Sequence, residues 1–224
     1  MTNIKICGIR NNQLFHALKD VEVDCFGFVF AASKRQVTAE VAASLIAEIR
    51  SEFTAPPKCV GVFRNQPEAE LLAVLSAVPL DIAQLHGDET PELCANIRRT
   101  FNIPVMKAFS LQDGSSSIDI IHAAKPYVGS IDLMLIDTHD PTYGGGSGKT
   151  FRWEVIDDIK AWCASVDIPL YVAGGLQPDN VAQLLQHHKP YGVDVSSGVE
   201  TAGEKDLLKI ITFVERVRAY DYGT

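Results

Sequence analysis

The sequence predicts an α/β protein folded as a single (β/α)₈ barrel, and three observations carry this prediction. Short runs of apolar, β-branched and aromatic residues recur along the chain, as is typical of strands buried in a parallel sheet. A segment with helical spacing follows each run, and strands alternating with helices indicate βαβ units. Eight such units in 224 residues suit a closed barrel better than an open doubly wound sheet. Residues 1–224 are therefore expected to form one domain.

The predicted strands are all short and apolar. They are Ile4–Cys7, Cys25–Phe30, Cys59–Phe63, Asp81–Leu85, Pro104–Phe109, Leu133–Asp137, Leu170–Ala173 and Tyr191–Val195. The turn after the first strand reads CGIRNN and lacks the G-x-G-x-x-G pattern with which open sheets bind dinucleotides. An open sheet is therefore the weaker alternative.

The segments between the strands carry helix start signals. Thr38 can cap one helix, and Pro67, Pro91 and Pro178 lie where a first helical turn is expected to begin. An apolar stripe in the last helix is formed by Leu207, Ile210, Val214 and Val217. Their spacing of three and four predicts a helix that packs one face against the sheet.

Composition and charge exclude several classes of function. The chain is 46% hydrophobic and 21% charged, as expected for a globular domain, and its net charge of −8 argues against a nucleic-acid partner. It has neither a signal-peptide pattern nor an apolar stretch long enough to span a membrane, so a cytoplasmic protein is expected. Five scattered cysteines predict no disulfide framework and no metal site. Most histidines, including His188, are expected at the surface.

Two glycine-containing loops are candidates for binding phosphate. VAGGLQPDNV, with Gly175, follows the seventh predicted strand, and VDVSSGVE, with Ser197 and Gly198, contains the end of the eighth. Phosphate sites in barrels often lie after these two strands, where backbone N–H groups bind the anion without lysine or arginine. The alternative is that the glycines only make tight turns.

A third glycine cluster lies in MLIDTHDPTYGGGSGKTFRW. A nucleotide-binding P-loop requires glycine where Tyr143 stands, so the pattern does not match. The flexible glycines, Gly145 among them, could still approach a phosphate closely.

Two candidates for acid–base chemistry end predicted strands. Asp137 follows an apolar run, where it could be a turn former, a metal ligand or a general acid or base. No second carboxylate follows at metal-ligand spacing, so a metal is not expected. Cys7 ends the first strand, and it is either a core residue or a thiol activated by neighbouring cations.

Other polar residues near strand ends allow two interpretations each. Gln84 and His86 in QLHGDE could be structural or could contact a substrate. Arg35 is either a surface charge or a fork for a carboxylate. Lys107 could form a Schiff base, or it could pair with an acid.

These segments together resemble the phosphoribosylanthranilate isomerase family. The matching stretches are KICGIR, GFVF with SKRQV, VGVFRN, QLHGDE, LMLIDT with GGGSGKTFRW, VAGGLQPDNV, and GVDVSSGVE with GEKD. They occur in the family's order over nearly the whole chain. The resemblance implies a barrel of the ribulose-phosphate-binding type, no cofactor and a role in tryptophan biosynthesis.

The resemblance also implies a reaction. This is the Amadori rearrangement of N-(5-phosphoribosyl)anthranilate to 1-(2-carboxyphenylamino)-1-deoxyribulose 5-phosphate. It implies Cys7 as the general base, Asp137 as the general acid and Arg35 as the partner of the anthranilate carboxylate. Substrate contacts are expected from Gln84 and His86. The phosphate is expected among the loops at Gly145, Gly175 and Ser197 with Gly198.

Three alternatives stay open from the sequence. The related isomerase of histidine biosynthesis uses two aspartates, so Cys7 favours the anthranilate enzyme. A Schiff-base aldolase would use Lys107, and a non-catalytic barrel would only bind phosphate. The expected partner is a small-molecule substrate, and the chain is expected to be a monomer or a homodimer.

Overall fold

The protein is a closed barrel of eight parallel strands. The computed structural model describes residues 1–111, 115–137 and 153–223. The strands are β1 (Asn3–Cys7), β2 (Cys25–Val29), β3 (Lys58–Phe63), β4 (Ile82–Leu85), β5 (Val105–Ser110), β6 (Leu133–Asp137), β7 (Leu170–Ala173) and β8 (Gly192–Val195). Each strand pairs with its neighbours in chain order, and β8 pairs with β1 to close the barrel. The predicted fold class is confirmed.

Helices follow the strands throughout the described part of the chain. They are α1 (Phe15–Leu18), α2 (Ala39–Glu52), α3 (Glu68–Ala77), α4 (Pro91–Phe101), α5 (Ser117–Ala124), α6 (Ile156–Ser165), α7 (Pro178–His188) and α8 (Leu207–Tyr222). A small antiparallel hairpin of β9 (Glu200–Thr201) and β10 (Glu204–Lys205) precedes α8. The sequence patterns did not predict this hairpin, because two-residue strands have no detectable alternation.

Most local signals in the sequence have their expected effect. The Thr38 side chain accepts a hydrogen bond from the backbone N–H of Val41 and so caps α2. Pro91 and Pro178 are the first residues of α4 and α7. Pro67 is the N-cap of α3, where the first turn begins, and its carbonyl accepts backbone hydrogen bonds from Glu70 and Leu71.

Two apolar layers follow from the alternation of side chains along each strand. One cluster consists only of strand residues and fills the barrel interior; its members are Cys25, Val60, Ile82, Met106, Ala108, Leu135, Tyr171 and Ala173. A larger cluster between the strands and the helices includes residues from both. Because alternate residues face the same side, the interior cluster identifies which polar residues near the strand ends point into the barrel.

The cysteines and His188 are all buried. All five cysteines are free thiols. His188 is buried rather than at the surface, because its ring packs against the ring of Trp153 at the end of α7. The His188 Nδ1 atom lies 3.2 Å from Asp157 Oδ1. No helix in the described residues is both long and apolar enough to cross a membrane.

Candidate active site

Cys7 and Asp137 lie at the same end of the barrel and point into it. They are the last residues of β1 and β6, and parallel strands place these ends on one rim. Asp137 follows the interior residue Leu135 by two positions, so it faces the interior. Cys7 is 8% exposed, whereas the Asp137 side chain is 23% exposed. The two predicted acid–base residues therefore share the carboxyl-end mouth of the barrel.

A buried ammonium group lies beside the Cys7 thiol. Lys5 is 0% exposed, and its Nζ lies 2.9 Å from Oδ1 of Asp194, its register partner on β8. Gly27 on β2 leaves room for this arrangement, because a Cβ added there would lie 2.8 Å from Cys7 Sγ and 3.2 Å from Lys5 Nζ. Thiol and ammonium thus share the space above one glycine.

The charges around Cys7 act in opposite directions. Burial raises the pKa of the Cys7 thiol, and the Lys5 ammonium acts to lower this pKa. Burial acts to lower the pKa of Lys5, but the Asp194 carboxylate and Cys7 together outweigh it and raise this pKa. The sequence patterns did not single out Lys5 or Asp194. The alternation of side chains within NIKIC and GVDV could have placed both residues on the interior face of their strands. A charged residue on that face is unusual and would have marked them as candidates.

Asp137 faces a chain of two polar side chains from β4 and its loop. His86 Nε2 lies 3.2 Å from Asp137 Oδ2, and His86 Nδ1 lies 3.0 Å from Gln84 Nε2. With the Gln84 amide donating to Nδ1, the Nε2–H of His86 faces the carboxylate. Gln84 is 1% exposed, so its amide orients His86 at the mouth.

Lys107 is buried in the helix layer and not at the mouth. It lies between Met106 and Ala108, which face the interior, so its side chain points outward. Its Nζ donates to the Gly87 carbonyl at 2.6 Å and lies 3.4 Å from Glu89 Oε2. Burial lowers the pKa of Lys107, and Glu89 opposes this shift. The Schiff-base hypothesis was wrong, because this amine holds the loop of His86 in place and is 2% exposed.

Arg35 lies over the chain just after Cys7. Its Nε and Nη2 each donate to one carboxylate oxygen of Glu200 at 2.7 Å, which makes a bidentate ion pair. Lys205 Nζ binds the same carboxylate at 2.6 Å. A Cβ on Gly8, whose φ is +86°, would lie 2.5 Å from Arg35 Cδ, so only glycine fits beneath this side chain.

The two described glycine loops predicted to bind phosphate pack against each other. Gly175 has φ +62°, and its carbonyl accepts a hydrogen bond from Asn180 Nδ2 at 2.9 Å. A Cβ on Gly198 would lie 1.9 Å from the Leu176 carbonyl oxygen, so the loop after β8 touches the loop after β7. Ser197 begins the short 3₁₀ turn that carries Gly198. Gly145, the third predicted contact, lies outside the described residues.

Comparison with known proteins gives concordant results. A family model described as N-(5'phosphoribosyl)anthranilate (PRA) isomerase matches residues 4–216. A relative from Brevibacillus brevis, named N-(5'-phosphoribosyl)anthranilate isomerase, is 44% identical over 99% of this chain and 96% of its own. The phosphoribosyl anthranilate isomerase of Thermotoga maritima superimposes with a TM-score of 0.80 at 38% identity, covering 98% of this chain and all of that one.

A further solved structure was determined with a ligand. It is a phosphoribosyl anthranilate isomerase in complex with reduced 1-(o-carboxyphenylamino)-1-deoxyribulose 5-phosphate, and it has a TM-score of 0.77 at 34% identity over 98% of this chain and 100% of its own. Fold, site and similarities together define an isomerase built on a (β/α)₈ barrel. The chain belongs to the N-(5'-phosphoribosyl)anthranilate isomerase family, which confirms the resemblance of its motifs.

Proposed function

We propose that this protein catalyses the Amadori rearrangement of N-(5'-phosphoribosyl)anthranilate, with Cys7 as general base and Asp137 as general acid. The observation that carries the proposal is the placement of a thiol and a carboxyl group on the interior face at one barrel rim, at the ends of β1 and β6. Family membership and the ligand of the related structure support this choice of substrate.

Asp137 would start the reaction. Its carboxyl proton passes to the furanose ring oxygen, the C–O bond breaks, and the ring opens to a Schiff base. His86 Nε2 is within hydrogen-bond reach of Asp137 Oδ2, so the imidazole N–H can donate to the carboxylate that this step leaves on Asp137. Gln84 holds the imidazole in the required orientation.

Cys7 would complete the reaction. Its thiolate removes the C2′ proton of the Schiff base, and the resulting enolamine tautomerises to the aminoketose. Arg35, above Cys7, has a planar guanidinium suited to the anthranilate carboxylate. Its Nε and Nη2 bind the Glu200 carboxylate, whose place the substrate carboxylate would take. The adjoining loops at Gly175 and Ser197 with Gly198 offer backbone N–H groups to the phosphate, as Gly145 is also proposed to do.

Loss of substrate fluorescence on addition of the purified protein tests the activity. Cys7→Ala and Asp137→Asn should each reduce kcat by about a hundredfold or more, the usual scale for loss of one acid or base. Cys25→Ala is the matched control, because it removes a buried thiol from the adjacent strand at the register position of Lys5. It should lower stability and leave kcat nearly unchanged.

Three outcomes would reject the proposal. Turnover of only the corresponding aminoaldose of histidine biosynthesis would assign the chain to that reaction. Near-normal kcat in both Cys7→Ala and Asp137→Asn would show that other groups carry the proton transfers. Binding of the substrate without turnover, equal in the wild type and in Cys7→Ser, would indicate a phosphate-binding barrel.

A further inference from the structure

The Lys5 ammonium is a buried charge that the proposed chemistry does not use. Its side chain is fully buried inside the barrel, where an apolar side chain of similar length would fill the same space. Removing a charge from water is costly unless it is paired, and a buried ion pair is often no more stable than apolar residues in its place. Packing alone therefore gives no reason for a cation at this position.

The position of Lys5 relative to Cys7 supplies a reason. Both side chains leave β1 on the interior face, two residues apart, and both reach the space above Gly27. A Cβ on Gly27 would lie 2.8 Å from Sγ and 3.2 Å from Nζ. The two atoms are therefore at most about 6 Å apart, a range over which a cation stabilises an anion in a poorly solvated site. The ammonium acts on the thiol as a neighbouring positive charge, which favours its ionised form.

Other charged groups also face the thiol. Lys205 and Arg35 approach from the loops after β8 and β2, and Glu200 binds both of them. Asp194 on β8 binds Lys5 and acts on Cys7 in the opposite direction to the ammonium. Lys5 lies within the barrel wall on the same strand as Cys7, and its carboxylate partner is Asp194, across the β1–β8 seam.

We propose that Lys5 is a positioning residue that stabilises the thiolate form of Cys7 needed for proton abstraction, against the effect of burial, and that Asp194 tempers this stabilisation by binding the same ammonium. The inference rests on the proposed function, because it explains how the general base is activated. It gives each member of the Lys5–Asp194 pair a separate and opposite effect on the thiol.

A purely structural role for the pair predicts something different. If Lys5 and Asp194 only joined β1 to β8, removing either would loosen the same seam and disturb Cys7 in the same direction. The sign of the effect of each single variant therefore separates the two interpretations.

The test is the pH dependence of Cys7 alkylation by iodoacetamide in the full-length protein, read by mass spectrometry of the Cys7 peptide. Only the thiolate reacts, so the midpoint of the rate against pH follows the ionisation of Cys7. Lys5→Met should raise the midpoint by about one pH unit, and alkylation below both midpoints should be about tenfold slower. Asp194→Asn should lower the midpoint.

Neutral controls keep the test decisive if a single variant folds poorly. The double variant Lys5→Met with Asp194→Asn leaves no unpaired charge, and its midpoint should lie above that of the wild type and below that of Lys5→Met. Unchanged midpoints, or shifts of the same sign in the two single variants, would overturn the proposal, as would a double variant with the wild-type midpoint.

The alkylation assay uses no substrate, so it separates this inference from the proposed function. Opposite shifts in a protein that does not turn over the anthranilate substrate would leave the effect of Lys5 on the thiol standing and reject the proposed reaction. Normal turnover by the wild type, with no shift in the variants, would reject only the role of Lys5. In an active enzyme the alkaline shift in Lys5→Met should also appear in the pH profile of kcat/KM.

Discussion

Replacing Gly27 by alanine should move Cys7, the proposed general base, without removing any polar group. The added Cβ would lie 2.8 Å from Cys7 Sγ and 3.1 Å from Cys7 Cα. Nonbonded carbon contacts are most favourable at about 3.5–4.0 Å, so the thiol has to move by roughly 1 Å. A displacement of this size at a reacting group can cost about a hundredfold in rate.

Gly61→Ala is the matched control for this substitution. Gly61 lies on β3 and faces the helix layer, where an added Cβ would lie 2.4 Å from Leu80 Cδ1 and 3.0 Å from Phe63 Cε2. Both substitutions overpack a buried site, so each should lower the free energy of unfolding by about 1–3 kcal/mol. Only Gly27→Ala reaches Cys7.

Urea denaturation and steady-state kinetics on both variants measure these effects. We expect similar losses of stability, a kcat near the wild-type value for Gly61→Ala, and a kcat reduced by roughly a hundredfold for Gly27→Ala. If Gly27→Ala keeps a kcat within about threefold of Gly61→Ala, Cys7 does not need its observed position, and the reasoning that makes it the base is refuted.

Three further predictions follow from the ion pairs. Arg35→Lys removes the bidentate fork and should raise KM for the anthranilate substrate by roughly tenfold, with a smaller change in kcat; an unchanged KM would remove Arg35 from the carboxylate site. Lys107→Met leaves Glu89 buried without its ion-pair partner and should lower the free energy of unfolding by about 3–5 kcal/mol in urea, with partial recovery in Lys107→Met with Glu89→Gln; equal stability of wild type and single variant would contradict this. Burial opposes ionisation of Glu200, but hydrogen bonds from Arg35 and Lys205 outweigh it and lower its pKa below the ordinary 4.5. Its contribution to stability is therefore fully present above about pH 4.5 and is lost as the pH falls through the lowered value, so Glu200→Gln should lose less stability between pH 6 and pH 3 than the wild type.

Local patterns were sufficient to predict the strands. Each observed strand begins and ends within one residue of its predicted bounds, because a buried parallel strand is a continuous apolar run whose ends are visible in the sequence. The same property made Cys7 and Asp137 visible, since a thiol or an acid that ends such a run stands out. Lys107 was harder to interpret, because the run PVMKAF does not by itself show which face of β5 points into the barrel.

The ion pairs could not be predicted from sequence patterns. Lys5 and Asp194 are separated by 189 residues, and Arg35 and Glu200 by 165, so no local spacing relates them. They meet because β8 returns to pair with β1 and brings the two ends of the chain together. The same closure brings Glu200, in the hairpin after β8, to Arg35 in the loop after β2.

The sequence by itself determined the eight strand and helix units, the family and the two residues proposed to transfer protons. These properties depend on the order and periodicity of nearby residues, which local interactions convert into strands and helices. The tertiary structure alone decided that the Cys7 thiol lies beside the Lys5 ammonium, that His86, held by Gln84, lies beside Asp137, and that Lys107 points away from the mouth. The physical reason is that the charge state of a buried group depends on which side chains the closed barrel brings within a few ångströms, and register and closure determine those neighbours.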